Sequence, residues 1–166
     1  MSVELALVVD VANVVGSRPD GWWRDRAGAA QRLLARLAQL PGRQVRLPGD
    51  GAALVSAVVA VVEGQARAVS DVAGVHVVRA PRDGDTTIAE EARRLTGDGM
   101  VQRRPEAGKG GQGGKGEDGR ECGQGRVVLV VTADRGLRDR LPAGALAAGP
   151  RWLDSALAEP GPAPRP

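Results

Sequence analysis

The chain contains 166 residues with a formal net charge of +3, and 42% of its residues are apolar. This length suffices for one domain with a substantial core, and the mild positive charge permits a nucleic-acid partner without requiring one. The single Cys excludes a disulfide framework and a cysteine zinc site, and the single His excludes a site built from several His ligands.

The first predicted strand covers residues 4–10, where an apolar run stops at Asp10 and is followed by Asn13. A Gly- and Pro-containing loop should come next, and then a helix over 23–40, in which Leu and Ala recur at helical spacing. Because Asp10 interrupts the apolar N-terminus, which also lacks a basic region, a signal peptide is not expected. The single Cys fits a reducing cytoplasm, where we expect the protein to be. No apolar run is long enough for a membrane span, so no membrane contact is expected.

The rest of the chain alternates between strand and helix patterns. This alternation predicts an α/β fold, a three-layer α/β/α sandwich with a central parallel sheet and helices on both of its faces. The other strands are predicted at 54–62, 75–80, 127–132 and 145–148, and the other helices at 65–69, 86–95, 136–141 and 151–158.

Two segments do not follow this pattern. Residues 97–125 hold 11 of the 24 Gly and have no apolar period, so they cannot bury enough surface to offset the entropy of ordering. We predict a disordered insertion there and a frayed, Pro-rich tail at 159–166. The single predicted domain therefore covers residues 1–158 and contains the insertion.

Carboxylates lie at the ends of the predicted strands. Asp10 and Asp134 follow two buried apolar runs, Glu63 closes the strand at 54–62, and Asp85 begins the inward face of a helix. Ligands of open α/β sheets bind beyond the carboxyl ends of the strands, so these side chains should share one rim. Clustered carboxylates repel one another and usually need a divalent cation such as Mg²⁺.

Each of these carboxylates also has a purely structural interpretation. An Asp after a strand often forms a turn, which would explain Asp10. Asp85 and Asp134 each precede or begin a helix and would serve as N-caps, as Asp or Ser commonly does. Glu63 would be a surface residue before a Gly turn. Capping and metal binding are compatible, because a helix that starts after a strand begins at the same rim.

A cluster of Arg and Trp follows the first strand closely and should flank this rim. Arg side chains for phosphates and Trp side chains for base stacking suit single-stranded nucleic acid. The alternative places both indoles in the hydrophobic core. The cluster consists of Arg18, Trp22, Trp23 and Arg24.

The order of four short motifs resembles the NYN/PIN-like nuclease superfamily, and most closely its YacP-like branch. The resemblance covers nearly all of the chain outside the insertion and the tail. The motifs are Asp10-Val11-Ala12-Asn13, Val61-Val62-Glu63-Gly64, Gly84-Asp85-Thr86-Thr87-Ile88 and Val131-Thr132-Ala133-Asp134-Arg135.

This resemblance implies a PIN-like, Rossmann-like sandwich that binds Mg²⁺ or Mn²⁺ and cleaves RNA. It makes Asp10, Asp85 and Asp134 the catalytic metal ligands. The supporting residues it implies are Asn13, Glu63 and Thr132, and Arg135 joins the Arg and Trp cluster as a substrate contact.

The leading hypothesis is a metal-dependent endoribonuclease that acts on single-stranded RNA. Two alternatives remain open. The first is a non-catalytic RNA-binding module, associated with the ribosome. The second is a nucleotide phosphohydrolase that uses the same acidic site on free nucleotides.

Deletion of residues 99–123 tests the predicted insertion. We expect cooperative unfolding and any cleavage activity to survive the deletion, because the segment lacks a core-forming pattern and loop length costs little free energy. Thermal melts of the full-length and shortened chains measure this. Loss of cooperative unfolding in the shortened chain would contradict the assignment.

Overall fold

A computed structural model of the chain describes residues 3–97 and 126–159. The predicted insertion lies outside these residues except for Gly97, and the predicted tail lies outside them except for Glu159. The predicted domain organisation therefore stays a prediction.

The described residues form six strands, five α-helices and two short 3₁₀ helices. No helix within 3–97 or 126–159 is both long and apolar enough to cross a membrane. The strands are β1 Val3–Asp10, β2 Gln44–Arg46, β3 Ala52–Val62, β4 His76–Arg79, β5 Arg126–Val131 and β6 Ala145–Ala148. The α-helices are α1 Val11–Gly16, α2 Arg26–Leu37, α3 Gly84–Thr96, α4 Arg135–Asp139 and α5 Pro150–Ala158, and the 3₁₀ helices are Trp22–Arg24 and Gly64–Ala68.

The structure differs from the predicted elements in several places, of which three concern whole elements or helix starts. A helix, α1, replaces the start of the predicted loop, because the Asp10 carboxylate accepts a hydrogen bond from the Asn13 N–H and caps it. The predicted helix at 23–40 begins only at Arg26, where the Asp25 side chain accepts from the Gly28 N–H at 2.8 Å. Strand β2 was not predicted, because three residues are too few to display a periodicity.

The sheet is mixed but predominantly parallel. Its order is β2-β3-β1-β5-β6, and β4 pairs with the later part of β3. Only the β2–β3 pair is antiparallel among the described strand pairs. Along the chain, β3 and then β4 are added on one side of β1, and β5 and then β6 are added on its other side. The direction of winding therefore reverses between β1 and β5. The ligand crevice of such a sheet lies at this reversal, beyond the carboxyl ends of the two strands.

The side chains of β1 alternate between two hydrophobic clusters. Leu5, Leu7 and Val9 belong to a cluster that includes residues of α2 and α5, whereas Ala6 and Val8 belong to a second cluster with residues of α3. All five are fully buried. Burial on both faces explains why the strand is a continuous apolar run, as is typical of parallel sheets flanked by helices. The molecule is therefore an α/β protein with helices packed on its sheet.

A matched pair of leucines tests this packing. Leu129 on β5 and Leu146 on β6 are register partners, but Leu129 is fully buried and Leu146 is 38% exposed. We expect Leu129→Ala to cost about 2–5 kcal/mol of unfolding free energy and Leu146→Ala about 0.5 kcal/mol. Urea denaturation of both variants measures the difference, and equal losses would contradict the observed burial.

Candidate active site

Asp10 is the last residue of β1, and it is buried, with only 7% of its surface exposed. One carboxylate oxygen accepts from the Asn13 N–H at 3.1 Å, and the other accepts from the Thr132 hydroxyl at 3.0 Å. Thr132 is fully buried, and its hydroxyl oxygen accepts from the Asp134 N–H at 3.1 Å. These bonds join the carboxyl ends of β1 and β5 at the point where the winding of the sheet reverses.

Two further side chains hold the segment after β5. The Asn13 side-chain oxygen accepts from the Ala133 N–H at 2.8 Å. Arg138 donates two hydrogen bonds to the Thr132 carbonyl, from Nη2 at 2.7 Å and from Nε at 3.2 Å. Sequence reasoning did not identify Arg138. Its position four residues after Asp134 could have indicated this contact. A helical side chain points back towards the start of its helix, and here that start adjoins the end of β5.

The electrostatic surroundings of Asp10 disfavour its charged form. Burial raises the pKa of the Asp10 carboxyl above its ordinary value of 3.8, and the hydrogen bonds from Asn13 and Thr132 oppose this effect. The negative charges of Asp85 and Glu63 raise the pKa further. Glu63 and Asp85 therefore repel the Asp10 carboxylate, and a bound cation would relieve this repulsion.

The start of α3 brings Glu63 into this cluster. The Glu63 carboxylate accepts from the Gly84 N–H at 2.7 Å, and Asp83 caps the helix by accepting from the Thr86 N–H at 2.8 Å. A Cβ atom at Gly84 would lie 2.9 Å from the Glu63 oxygen, so this close contact favours Gly. The cap of this helix is therefore Asp83, and not Asp85 as the structural interpretation proposed. Hydrogen bonds from Thr86 lower the pKa of Asp83.

The other two predicted metal ligands have partners of their own. Asp85 forms an ion pair with Arg140 at 2.5 Å, and the Asp134 carboxylate caps α4 by accepting from the Leu137 N–H at 2.8 Å. In residues 3–97 and 126–159, no group of three or more His, Cys, Asp or Glu side chains is placed to hold a metal ion. The described residues thus do not gather Asp10, Asp85 and Asp134 into one such group.

The donors that remain around Asp10 fit a hydrated ion better than a fully protein-bound one. Mg²⁺ usually keeps several water molecules and takes only one or two carboxylates, together with phosphate oxygens of a substrate. Asp10 and its two acidic neighbours, Glu63 and Asp85, are oxygen donors of this kind. The raised pKa of Asp10, caused mainly by burial and further by the charges of Asp85 and Glu63, is the feature of this structure that favours a cation.

The predicted substrate contacts are divided between different surfaces. Trp22 packs against the core and lines a cavity beside Glu63, whereas Trp23 is 56% exposed and meets the Trp22 ring edge-on at 6.3 Å. Arg18 instead forms an ion pair with Asp154 of α5 at 2.6 Å. The alternative that both indoles lie in the core is wrong for Trp23 and only partly right for Trp22. Arg24 and Arg135 are both exposed.

Comparison with solved structures finds a similar fold in the crystal structure of a point mutant of Rae1 (YacP) from Bacillus subtilis, with a TM-score of 0.52 and 17% sequence identity. The match covers 94% of this chain and 75% of that chain. The fold is YacP-like. No protein-family model and no curated protein matches the chain. At this level of identity the similarity concerns the fold and assigns no role to any residue.

Asp10→Asn tests the electrostatic strain of the site. Asn keeps the hydrogen bond from the Asn13 N–H and reverses the one with Thr132, whose hydroxyl oxygen would accept from the new amide, and it removes the buried charge. Because the folded-state pKa of Asp10 is raised, ionisation of Asp10 destabilises the native state, and this destabilisation is fully present only above that pKa. Without added metal at pH 7 the variant should have a higher melting temperature. The increase should be about 2–4 °C for each kcal/mol gained in unfolding free energy.

The gain should shrink as the pH falls towards 3.8, where Asp10 is half protonated even in the unfolded chain. Thermal melts at pH 7 and near pH 4 measure it, with Asp50→Asn in the exposed segment between β2 and β3 as the matched control. A lower melting temperature for Asp10→Asn at pH 7 would show that the carboxylate stabilises the apo protein.

Proposed function

We propose that the protein is a metal-dependent endoribonuclease of the PIN-like/NYN type, with a three-layer α/β/α sandwich, that cleaves single-stranded RNA. One observation carries the proposal. The Asp10 carboxylate lies where the winding of the sheet reverses, and its burial, with a further contribution from the charges of Asp85 and Glu63, raises its pKa. Parallel α/β sheets bind ligands at this point, and repelling carboxylates favour a divalent cation there. The YacP-like fold supports the same proposal.

In this proposal Asp10 and one of its acidic neighbours, Asp85 or Glu63, hold Mg²⁺ or Mn²⁺. When bound, the ion would polarise the scissile phosphate and activate a water molecule. Thr132 and Asn13 fix the direction of the Asp10 carboxylate through the hydrogen bonds described above. Asp134 orders the segment after β5 as the cap of α4 through one carboxylate oxygen, and its other oxygen would serve as a further ligand.

The exposed Arg and Trp side chains near this rim would bind the RNA strand. Trp23 has enough exposed ring for a base to stack on it, and such stacking contributes about 1–3 kcal/mol to binding. Arg24 and Arg135 are exposed cations suited to phosphate oxygens. Arg18 is the weakest of these candidates, because its guanidinium is already paired with Asp154.

A second candidate function is a non-catalytic RNA-binding module that acts at the ribosome. It is favoured by the finding that the described residues contain no three-carboxylate group able to hold a metal. Both functions use the same rim and the same exposed Arg and Trp side chains, so only a cleavage measurement separates them.

An assay on end-labelled single-stranded RNA, with Mn²⁺, with Mg²⁺ and with EDTA, tests the proposal. Cleavage should require a metal, and Asp10→Asn should abolish it. Thr132→Val removes the hydroxyl that orients Asp10 and should reduce cleavage by about 10–100-fold, as loss of a ligand's orienting partner typically does. Asp50→Asn, which lies between β2 and β3 and away from the rim, should cleave at the wild-type rate.

The same assay separates the alternatives. RNA that is bound but never cut with either metal would replace the nuclease by the RNA-binding module. Hydrolysis of free nucleoside triphosphates with intact RNA would identify a phosphohydrolase. Cleavage that persists in Asp10→Asn at the wild-type rate would place the reaction elsewhere on the molecule.

A further inference from the structure

A cavity of about 390 Å³ adjoins the acidic rim. It lies between α1, the start of α2 and the two 3₁₀ helices, and it includes Val11, which follows Asp10 directly, and Glu63. Its volume falls within the range of small-molecule sites in proteins. A group bound in this cavity would therefore be a direct neighbour of the proposed cleavage site.

The lining of the cavity combines apolar side chains, called its floor here, with an aromatic ring. Val11, Val15 and Ala66 are buried residues of the floor, and Trp22 forms a wall. The Arg26 guanidinium carbon lies 5.3 Å from the centre of the Trp22 ring, close enough for a cation–π interaction. The planar guanidinium and the indole thus present flat surfaces that suit a planar ring.

Two hydrogen-bonding side chains of the cavity lining have no partner in the described part of the chain. Gln65 and Arg82 line it and are exposed, and no hydrogen bond or ion pair of theirs occurs within 3–97 or 126–159. The contrast with similar side chains is informative. Gln31 holds the backbone of Ser70 by two hydrogen bonds, so it serves the fold. Gln65 and Arg82 serve no such structural purpose.

A nucleobase matches this combination of surfaces. It has two apolar faces that stack on Trp or on Arg guanidinium planes, and polar edges that a carboxamide can read with one donor and one acceptor. An attached phosphate would meet the Arg82 guanidinium. An aliphatic ligand would use the floor but would leave the flat surfaces and the carboxamide without a purpose.

We propose that this cavity is a subsite for one unpaired nucleobase, with Gln65 reading the edge of the base and Arg82 binding its phosphate. The proposal rests on the proposed function in that the base belongs to an RNA strand whose adjacent phosphate lies at the acidic rim. It adds a base preference to that function and names the residue that sets it.

The first experiment measures binding of four short labelled oligoribonucleotides, each rich in one base, to the full chain in EDTA. Wild type should prefer one base, and Gln65→Ala should lower affinity for that base by about 5- to 150-fold, the equivalent of one bidentate base contact. Arg82→Ala should weaken all four complexes alike and flatten their salt dependence. The controls are Gln39→Ala and Arg43→Ala, which remove the same side chains from positions outside the cavity lining.

A second experiment does not depend on RNA binding. In a Trp23→Phe, Trp152→Phe variant, Trp22 is the only remaining Trp, and its fluorescence reports directly on the cavity. Nucleoside 5′-monophosphates should quench it with the same order of base preference. Gln65→Glu removes the amide donor but keeps the side-chain length, and it should change that order. This variant keeps the test valid if Gln65→Ala proves less stable.

The outcomes separate the subsite from the proposed function. RNA binding that remains base-selective in both Gln65 variants, or wild type that shows no base preference, would overturn the subsite and leave the nuclease proposal intact. Quenching of Trp22 that depends on Gln65, in a protein that neither binds nor cuts RNA, would support the subsite and refute the nuclease. Absence of quenching by all four monophosphates would overturn the subsite.

Discussion

The hydrogen bond from the Thr132 hydroxyl to the Asp10 carboxylate links residues 122 positions apart, and the acidic rim depends on it. A buried carboxylate is costly unless it is hydrogen-bonded, and Asp10 obtains its two bonds from its own helix and from the end of β5. The register of the sheet makes this possible, because Val9 pairs with Val131 and so the next residues, Asp10 and Thr132, emerge side by side. Sheet pairing thus creates the site, and the site in turn reinforces the pairing.

Helix capping explains how so many carboxylates are tolerated at one rim. Asp10, Asp83 and Asp134 cap α1, α3 and α4, and Glu63 accepts from the first N–H of α3. The positive ends of helices stabilise negative charge, and the uncapped N–H groups need acceptors in any case. The carboxylates therefore satisfy N–H groups at the helix starts, and at Asp10 this gain is set against the cost of burying its charge.

The difference between the two indoles shows how a local sequence feature acquires different roles. Trp22 and Trp23 are adjacent in a 3₁₀ helix, so their side chains cannot point in the same direction. Trp22 reaches the core and a cavity wall, and Trp23 remains mostly in solvent. A Trp pair in a sequence indicates an aromatic surface, but packing decides which ring is available to a ligand.

The sequence alone determined the longer strands, the parallel character of the sheet and the placement of Asp10 and Asp134 after strands. Burial on both faces makes a strand a continuous apolar run, which is a local pattern. The sequence did not reveal two ion pairs, Asp85 with Arg140 and Arg18 with Asp154. Their partners lie 55 and 136 positions apart in the chain. Only the tertiary structure decided which carboxylates surround Asp10, because the direction of a side chain at a strand end is set by contacts with segments that are distant in sequence.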